Sequence, residues 1–453
     1  MTAALVALPA LAGCIGPGPA APLDATATTG QLREFDLYVS EAAQLAPREG
    51  KVITGFGFSL SPDGPFTVPG PEIRIREGDT LRVSLHSTGF GHTIHWHGIK
   101  LPWAMDGVPF MTQTIVPGDS TYVYEWTARE SGTYWYHCHV DAPSHVDFGL
   151  FGPLIIEPAN PAQDMPFDRE YTMMLSEVDS TMFAPLNAAV FGGTPDEFGN
   201  YPPNPFDAAA AAVNSARTTY DIAALVVGTG ATVAPGVGTP GAPAVADALG
   251  WQGPRDYYPF PSIRYRPQYD TFMINGKSFP DTEPLLIKSG ETIRVRLINA
   301  GQLVHSMHLH GTHFLVTHKD GYKLPAPYYA DTILVGPAER YDIYVEGDNP
   351  GIWDFHDHGG AWNVGGYTNN DYAFPGGMNT MLVYEDFAYA QLPEPEPGAR
   401  WTSGDYMVFA SSYKGVAPAG GQPAPASHAG HEGHVMPTDT SASTSWDPVL
   451  GTR

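Results

Sequence analysis

An internal duplication constrains the fold of this chain more than any other feature. Residues 75–85 alternate apolar and polar side chains around a Gly-Asp turn, and residues 286–297 repeat this pattern around Gly290. Such alternation, with a period of two, is typical of β-strands that bury one face. Each segment is followed, at nearly equal distance, by a pair of histidines separated by one residue. We therefore predict two copies of one β-domain.

The composition favours an all-β chain. In 453 residues, 50 glycines and 44 prolines separate many short extended runs, and 43% hydrophobic residues suffice for sizeable cores. The formal net charge of -25 leaves no basic face to neutralise phosphates, so nucleic-acid binding is not expected. The predicted organisation is a leader and tether at 1–32, a first domain at 33–160, a second domain at 161–388 with an insertion at about 183–262, and a low-complexity, histidine-containing tail at 389–453.

The N-terminal segment has the pattern of an exported lipoprotein. Residues 1–13 are apolar and rich in Ala and Leu, as in a signal peptide. They lead into a Leu-Ala-Gly-Cys sequence ending at Cys14, which resembles a bacterial lipobox. This predicts export to the periplasm or cell surface, with a lipid anchor on Cys14. An ordinary signal peptide with an incidental cysteine is the alternative. No other stretch is long and apolar enough to span a bilayer.

Four His-x-His pairs mark the two copies of the domain. They are His95/His97 and His137/His139 in the first copy, and His308/His310 and His356/His358 in the second. Side chains alternate faces along a strand, so each pair presents two imidazoles on one face. Eight imidazoles that converge between two domains can hold a cluster of several metal ions. Imidazole suits copper, zinc, iron and nickel.

Cys138 lies between the two histidines of one pair. Residues 132–140 are rich in aromatic side chains and are predicted to form a strand, on which Cys138 faces away from His137 and His139. The backbone here would then connect two metal sites covalently. A buried cysteine flanked by structural histidines is the alternative explanation for this stretch taken alone.

Two further histidines complete a donor set for Cys138. His92 is an odd number of residues from His95, so it points to the opposite face, towards Cys138. His145 follows Cys138 in a short loop. One thiolate with two imidazoles is the signature of a blue-copper electron-transfer site.

These motifs resemble those of the multicopper oxidases, specifically the two-domain, laccase-like members. The resemblance covers residues 33–388 apart from the insertion. It implies two cupredoxin-like domains, each a Greek-key β-sandwich. It also implies one-electron oxidation of phenolic or aromatic substrates, or of metal ions, coupled to four-electron reduction of dioxygen to water. Two-domain relatives form ring-shaped trimers, so a homotrimer with the cluster between subunits is implied.

The resemblance also implies four coppers per chain and a role for each ligand. The type 1 ligands would be His92, Cys138 and His145, with the non-ligating Leu150 in the axial position; the type 2 ligands His95 and His308; and the type 3 ligands His97, His137, His139, His310, His356 and His358. An axial leucine should favour Cu(I). Asp106 resembles the acidic residue that serves proton delivery near the type 2 copper, although an Asp-Gly turn needs no catalytic reason.

The second copy departs from the family pattern at one position. Asp357 stands where the first copy has Cys138. Without a thiolate, no type 1 copper is expected there, and His305 and Met378 are interpreted as remnants of such a site. The tail histidines His428 and His434, with His431 between them, are either a weak metal-binding tract or part of a solvated tail.

Three other functions are weighed against the oxidase. A copper-containing nitrite reductase shares two cupredoxin domains, but its catalytic copper needs no His-x-His pairs. A copper-storage or copper-buffering lipoprotein is favoured only by the tail histidines. A structural zinc protein lacks the usual paired cysteine ligands. The physiological reductant cannot be named from these residues, because substrate pockets are built by loops.

Overall fold

The computed structural model describes residues 30–180, 269–358 and 377–412, apart from residues 90, 110, 141, 391, 393, 397 and 398. The lipobox cysteine Cys14, the predicted insertion and the three tail histidines lie outside these residues. Among the described residues, no helix combines the length and the apolar character needed to cross a membrane.

The first half of the chain forms a sandwich of two four-stranded sheets, ordered β2-β1-β4-β6 and β3-β8-β7-β5. Its strands are β1 (Leu32–Arg48), β2 (Lys51–Ser59), β3 (Ile73–Arg76), β4 (Thr80–His86), β5 (His95–His97), β6 (Thr121–Thr127), β7 (Gly132–His137) and β8 (Phe151–Glu157). A short helix, α1 (Ala142–Asp147), joins the last two strands.

The second half forms a larger sandwich, with sheets ordered β10-β9-β12-β17-β14-β15 and β11-β19-β18-β13-β16. Its strands are β9 (Arg169–Val178), β10 (Thr271–Ile274), β11 (Leu285–Ile287), β12 (Thr292–Asn299), β13 (His305–Leu309), β14 (Phe314–Lys319), β15 (Tyr322–Ala330), β16 (Thr332–Val335), β17 (Arg340–Glu346), β18 (Ile352–Asp357) and β19 (Asn379–Tyr384). The all-β prediction is confirmed.

Alternation in the sequence explains the burial of these strands. In β4, Leu81, Val83 and Leu85 are fully buried, while the residues between them are only partly covered. Each such side chain contributes about 1.5–3 kcal/mol when it leaves water. The turn before β4 is made by Gly78 at φ 95°, and the matching turn before β12 by Gly290 at φ 83°. Glycine adopts this conformation without steric cost.

The strand pairings of the first sandwich recur in the second. β1 runs parallel to β4 as β9 does to β12, and β3 runs parallel to β8 as β11 does to β19. The strands that carry the histidine pairs also match. His95 lies opposite His137 in the β5–β7 pair, and His308 lies opposite His356 in the β13–β18 pair. The duplication read from the sequence is therefore present in the topology.

Buried charges join the two sandwiches. Glu170 on β9 accepts hydrogen bonds from Arg294 and from Arg296 Nε at 3.0 Å, and Arg74 of the first sandwich lies 2.7 Å away. Burial raises the pKa of Glu170, but Arg296, Arg294 and Arg74 outweigh burial and lower it to about 2. Arg296 also donates to Thr133 Oγ1 on β7 at 2.6 Å. The second sandwich thereby anchors the strand that leads to His137.

Part of the predicted tail packs on the second sandwich. Two further helices follow β19, namely α2 (Glu385–Ala388) and α3 (Ser403–Ser412). Tyr406 of α3 is buried in a cluster with Phe279 and Met381, and its hydroxyl group lies 2.7 Å from that of Tyr389. Residues 403–412 were predicted to belong to a low-complexity segment, whereas the structure places them in a helix with an apolar contact.

Candidate metal centres

The first candidate centre is a buried set of one thiol and two imidazoles. Cys138 Sγ lies 3.3 Å from His145 Nδ1 and 3.6 Å from His92 Nδ1. All three side chains are buried, at 0%, 3% and 0% relative exposure respectively. They come from the end of β7, from α1, and from the segment before β5. The sequence-predicted set is therefore assembled in the fold.

The strand that carries Cys138 is shorter than predicted. β7 ends at His137, so Cys138 and His139 lie just beyond it. The backbone N–H of Cys138 still donates to Leu150 O at 3.0 Å, which continues the pairing with β8. This bond preserves the alternation of faces. Cys138 therefore faces His92, while its two neighbours face the opposite side.

The charges in this pocket favour a thiolate. Burial raises the pKa of Cys138, but the charge and hydrogen bond of His145, and then those of His92, outweigh burial and lower it to about 5. Burial likewise lowers the pKa of His92, yet its bonds to Cys138 and Glu41 raise it to about 9, so a metal ion that binds Nδ1 displaces a proton from it. The thiolate is the form of cysteine that binds metals. The donors therefore fit a copper ion.

Leu150 and Phe56 wall this pocket. Leu150 is fully buried, and its backbone N–H donates to His145 O at 3.0 Å. The ring of Phe56 meets the rings of His145 and His92 edge-on, with centroids 5.2 and 6.2 Å apart. Neither Leu150 nor Phe56 offers a ligand atom. Among the described residues, the ligand atoms of this pocket are therefore those of His92, Cys138 and His145.

The second candidate centre is the histidine cluster of the first copy. Nitrogen atoms of His95, His97 and His137 lie within 4.8 Å of one another. The ring of His139 adjoins them, with its centroid 5.3 Å from that of His95. The antiparallel pairing of β5 with β7 produces this cluster, because it places His95 directly opposite His137.

Hydrogen bonds to backbone carbonyl groups fix the rings of His95 and His137, and His97 Nδ1 lies 3.4 Å from His137 Nε2. His95 Nδ1 donates to Asp106 O and His137 Nδ1 donates to Cys138 O, both at 2.8 Å. In both rings Nδ1 thus carries the proton, and Nε2 is the nitrogen left to bind a metal. His139 Nδ1 is buried and has no hydrogen-bond partner among the described residues. A buried polar atom without a partner calls for an explanation, and a bound ion supplies one.

Burial and neighbouring charges favour the neutral form of His97 and His137, which is the form that binds metals. Burial lowers the pKa of His97 to about 3, helped by the positive charge of Arg340. Burial also lowers the pKa of His137 well below its usual range, and the nearby His95 adds to this effect. The first-copy cluster thus fits copper as well as the thiolate set does.

The third candidate centre is the histidine cluster of the second copy. His310 Nε2 lies 3.2 Å from His356 Nε2, and the rings of His308 and His358 are 5.4 Å apart. His308 Nδ1 donates to Asp331 O at 2.9 Å. Here His310 and His358 are exposed, and the other two are only half-buried. This cluster therefore lies open at the surface of the chain.

The two histidine clusters remain separate within one chain. In the described part of the chain, each group of metal-capable side chains draws its histidines from a single copy. The eight histidines that were expected to form one cluster therefore lie in two groups of four, one in each copy.

Three acidic residues accompany the predicted ligands. Asp106 follows a 3-10 helix at Trp103–Met105, and its Oδ1 lies 3.3 Å from His95 Nδ1.

Asp354 was not predicted from the sequence. It lies within 4.8 Å of His310 and His356, and its buried Oδ1 has no partner among the described residues. Asp354 precedes His356 by two residues on β18, so strand alternation alone could have found it. The third, Glu41, bonds to His92 and was missed as well.

A charged triad replaces the thiolate set in the second copy. The backbone N–H of Asp357 donates to Met378 O at 3.0 Å, just as Cys138 donates to Leu150 O. His305 Nδ1 lies 2.9 Å from Asp357 Oδ2, and its Nε2 lies 3.0 Å from Glu177 Oε2. All three triad members are buried. A buried ion triad, with no thiolate, occupies the equivalent position.

Comparison with known proteins identifies the class to which this fold and these centres belong. Family models described as multicopper oxidase match residues 66–161 and 256–367. The crystal structure of Blue Copper Oxidase from Nitrosomonas europaea is 30% identical, with a TM-score of 0.56, and the match covers 85% of this chain and 95% of that one. Multicopper Oxidase mgLAC is also 30% identical, with a TM-score of 0.54 and the same coverage. The chain belongs to the multicopper oxidase family, which confirms the resemblance read from its motifs.

The curated relatives are longer proteins. Copper resistance protein A of Escherichia coli is 29% identical over 324 residues, which covers 69% of this chain and 46% of the relative. The chain thus spans less than half the length of the curated relatives that it matches first.

Proposed function

We propose that this protein is a laccase-like oxidase that removes single electrons from a small reducing substrate and passes them to dioxygen, which becomes water. The observation that carries the proposal is the position of Cys138. Its side chain belongs to the buried thiolate set, while the flanking His137 and His139 belong to the histidine cluster. A few covalent bonds of one peptide segment connect the two centres.

The proposed ligand roles follow the donor sets. His92, Cys138 and His145 would hold the type 1 copper, with Leu150 in the axial position. The histidine clusters would hold one type 2 and two type 3 coppers: His95 and His308 the former, and His97, His137, His139, His310, His356 and His358 the latter. Copper bound in these positions would supply one-electron exchange with the reductant and the reduction of dioxygen. The count of four per chain is part of the proposal.

Asp106 is proposed to hold and release protons near the first-copy cluster. Its backbone carbonyl group fixes the ring of His95, and its carboxylate lies close to the same nitrogen. The side chain is about one-third exposed, so protons can reach it from solvent.

The complete enzyme is proposed to be a homotrimer. Each chain holds two half-clusters, and the second-copy half is open to solvent. Exposed apolar side chains lie in segments near both halves. Met111 is 66% exposed in the segment that follows Asp106, and Leu334 is 62% exposed on β16, which pairs with the strand that carries His308. A ring that joins the first sandwich of one subunit to the second sandwich of the next closes every cluster.

Export and lipid attachment at Cys14 remain part of the proposal, and they rest on the lipobox-like sequence. The alternatives have less support. A nitrite reductase or a copper-storage lipoprotein does not require a cysteine placed between two cluster histidines.

The direct test is an absorption spectrum of the copper-loaded protein, together with dioxygen uptake over a panel of phenols, aromatic amines, Cu(I), Fe(II) and Mn(II). We expect the intense thiolate-to-copper band of a blue site, and dioxygen uptake with at least one reductant. A copper-loaded protein that showed the band but reduced nitrite, and not dioxygen, would contradict the proposal.

A further inference from the structure

A glutamate holds the side of His92 that faces away from Cys138. Glu41 Oε1 lies 3.0 Å from His92 Nε2, and both side chains are largely buried, at 17% and 0% exposure. His92 Nδ1 faces Cys138 Sγ. The imidazole therefore bridges a carboxylate and the thiolate. The residues are far apart in sequence, and only the packing of β1 against the segment before β5 brings them together.

The backbone at Gly89 makes room for this carboxylate. A Cβ atom built on Gly89 would lie 2.0 Å from Glu41 Oε2, much closer than any non-bonded contact allows. Gly89 also has a φ of 52°, which favours glycine. Gly89 therefore leaves the space that the Glu41 carboxylate occupies beside the thiolate set.

The second copy repeats the same arrangement. Glu177 Oε2 lies 3.0 Å from His305 Nε2, and a Cβ atom built on Gly301 would lie 1.9 Å from Glu177 Oε2.

Strand register shows that the two arrangements are equivalent. Tyr38 of β1 pairs with His86 of β4, and Met174 of β9 pairs with Ile298 of β12. Glu41 and Glu177 each lie three residues after the β1 or β9 member of these pairs. Gly89 and Gly301 each lie three residues after the β4 or β12 member. The duplication has kept this glycine, glutamate and histidine, although the partner of the histidine is Cys138 in one copy and Asp357 in the other.

A carboxylate that is hydrogen-bonded to one imidazole nitrogen determines which nitrogen can bind a metal. Because Glu41 accepts a hydrogen bond from Nε2–H, the nitrogen of His92 that gives up its proton to bind a metal is Nδ1, the atom that faces the thiolate. Partners of this kind fix the tautomer and the ring orientation of metal-binding histidines. The negative charge of a nearby carboxylate also favours the more highly charged state of a bound metal.

We propose that Glu41 is a positioning residue of the type 1 copper site, which holds His92 Nδ1 towards Cys138 Sγ and lowers the reduction potential of the copper bound there. This inference rests on the proposed function, since it assumes that copper binds to the thiolate set. Glu177, seated in the same way beside Asp357, has no such role.

The test compares three variants with the copper-loaded wild-type protein. Glu41→Leu removes both the hydrogen bond and the charge, so we expect a weakened or shifted blue band and a 10–100-fold loss of copper affinity at this site. Glu41→Gln keeps an oxygen acceptor, so the band should survive, but the reduction potential should rise. Glu177→Gln is the matched control. It should leave the band and the potential unchanged while lowering the unfolding temperature.

The outcomes separate this inference from the proposed function. If the wild-type protein binds copper without a blue band, the type 1 assignment itself is wrong. If the wild-type protein is blue and Glu41→Gln has the wild-type potential, the inference about charge is overturned. If Glu41→Leu also matches the wild-type protein in band and affinity, Glu41 positions nothing. Should Glu41→Leu fail to fold, the potential of Glu41→Gln still decides.

Discussion

Cys138 belongs to one centre by its side chain and to another by its neighbours. Its Sγ faces His92 and His145, while the strand geometry turns His137 and His139 the other way. Alternation depends on the backbone and not on the identity of residue 138. The two centres can therefore be separated by changing one side chain.

Replacing Cys138 with Ser should remove the blue copper and leave the cluster. A hydroxyl group is nearly the size of a thiol but a poor ligand for this site. We expect about three of four coppers per chain to remain, because the ligand sets are separate. Substrate oxidation should fall at least about 100-fold, the loss that even an outer-sphere change can reach. Metal analysis and dioxygen uptake measure both effects, and full turnover in this variant would show that Cys138 is not the point of electron entry.

The triad at His305 should make folding stability depend on pH. Burial lowers the pKa of His305, but the hydrogen bonds of Asp357 and Glu177 raise it to about 9. Because the folded pKa lies above the unfolded value of about 6.5, this stabilisation is complete below that value and is lost as the pH rises towards 9. It is on the order of 3 kcal/mol. Denaturant unfolding of copper-free protein between pH 6 and pH 10 measures it. In the Asp357→Asn variant this part of the pH dependence should shrink, and an unchanged profile would contradict the assignment.

Strand β7 leads directly into ligands of two centres, and contacts with the second sandwich hold it in place. Arg296 bonds to Thr133 Oγ1 on β7 and to Glu170 on β9, and Arg340 Nε donates to Thr133 O at 3.4 Å. These buried arginines, and not the first sandwich alone, determine how β7 lies. The duplication thus places its metal-binding strand between two cores.

Removing the shared carboxylate should loosen this strand. Glu170→Gln leaves the guanidinium groups of Arg74, Arg294 and Arg296 without their common counter-charge. Breaking a buried ion network in this way costs about 3–5 kcal/mol. Denaturant unfolding gives the loss. The control is Arg82→Gln, because Arg82 pairs with carboxylates at the surface and should change stability little. A Glu170→Gln variant as stable as this control would show that the network contributes nothing.

The whole molecule presents two half-clusters, and mixing variants can show how they combine. In the proposed ring, each site uses the first copy of one subunit and the second copy of the next. His137→Ala and His356→Ala should each abolish cluster loading when expressed alone. Co-expressed, the two chains should form mixed trimers in which some interfaces have both halves intact, so copper loading and activity should partly return. A matched control co-expresses two chains that both carry His137→Ala, and these should stay inactive.

Light scattering provides the independent check on assembly. We expect the mass of a trimer for the copper-loaded protein. A fully loaded and active monomer would contradict the proposed ring, and so would a failure of the mixed variants to recover any loading.

The sequence by itself determined the features that depend on local periodicity. Alternation along a strand placed Cys138 opposite to His137, and the repeated turn and histidine spacing revealed two copies of one β-domain. The same rule could have found Asp354 beside His356. These features depend only on residues a few positions apart, which is why a single sequence was sufficient to predict them.

Only the tertiary structure decided which distant groups meet. Glu41 lies 51 residues from His92, and Glu177 lies 128 residues from His305. No local period connects such pairs, because they depend on which strands become neighbours in the sheets. The same holds for Arg296 and Thr133, and for the separation of the two half-clusters. Local periodicity determines which face of a strand each ligand lies on, whereas strand order and packing determine which distant residue it contacts.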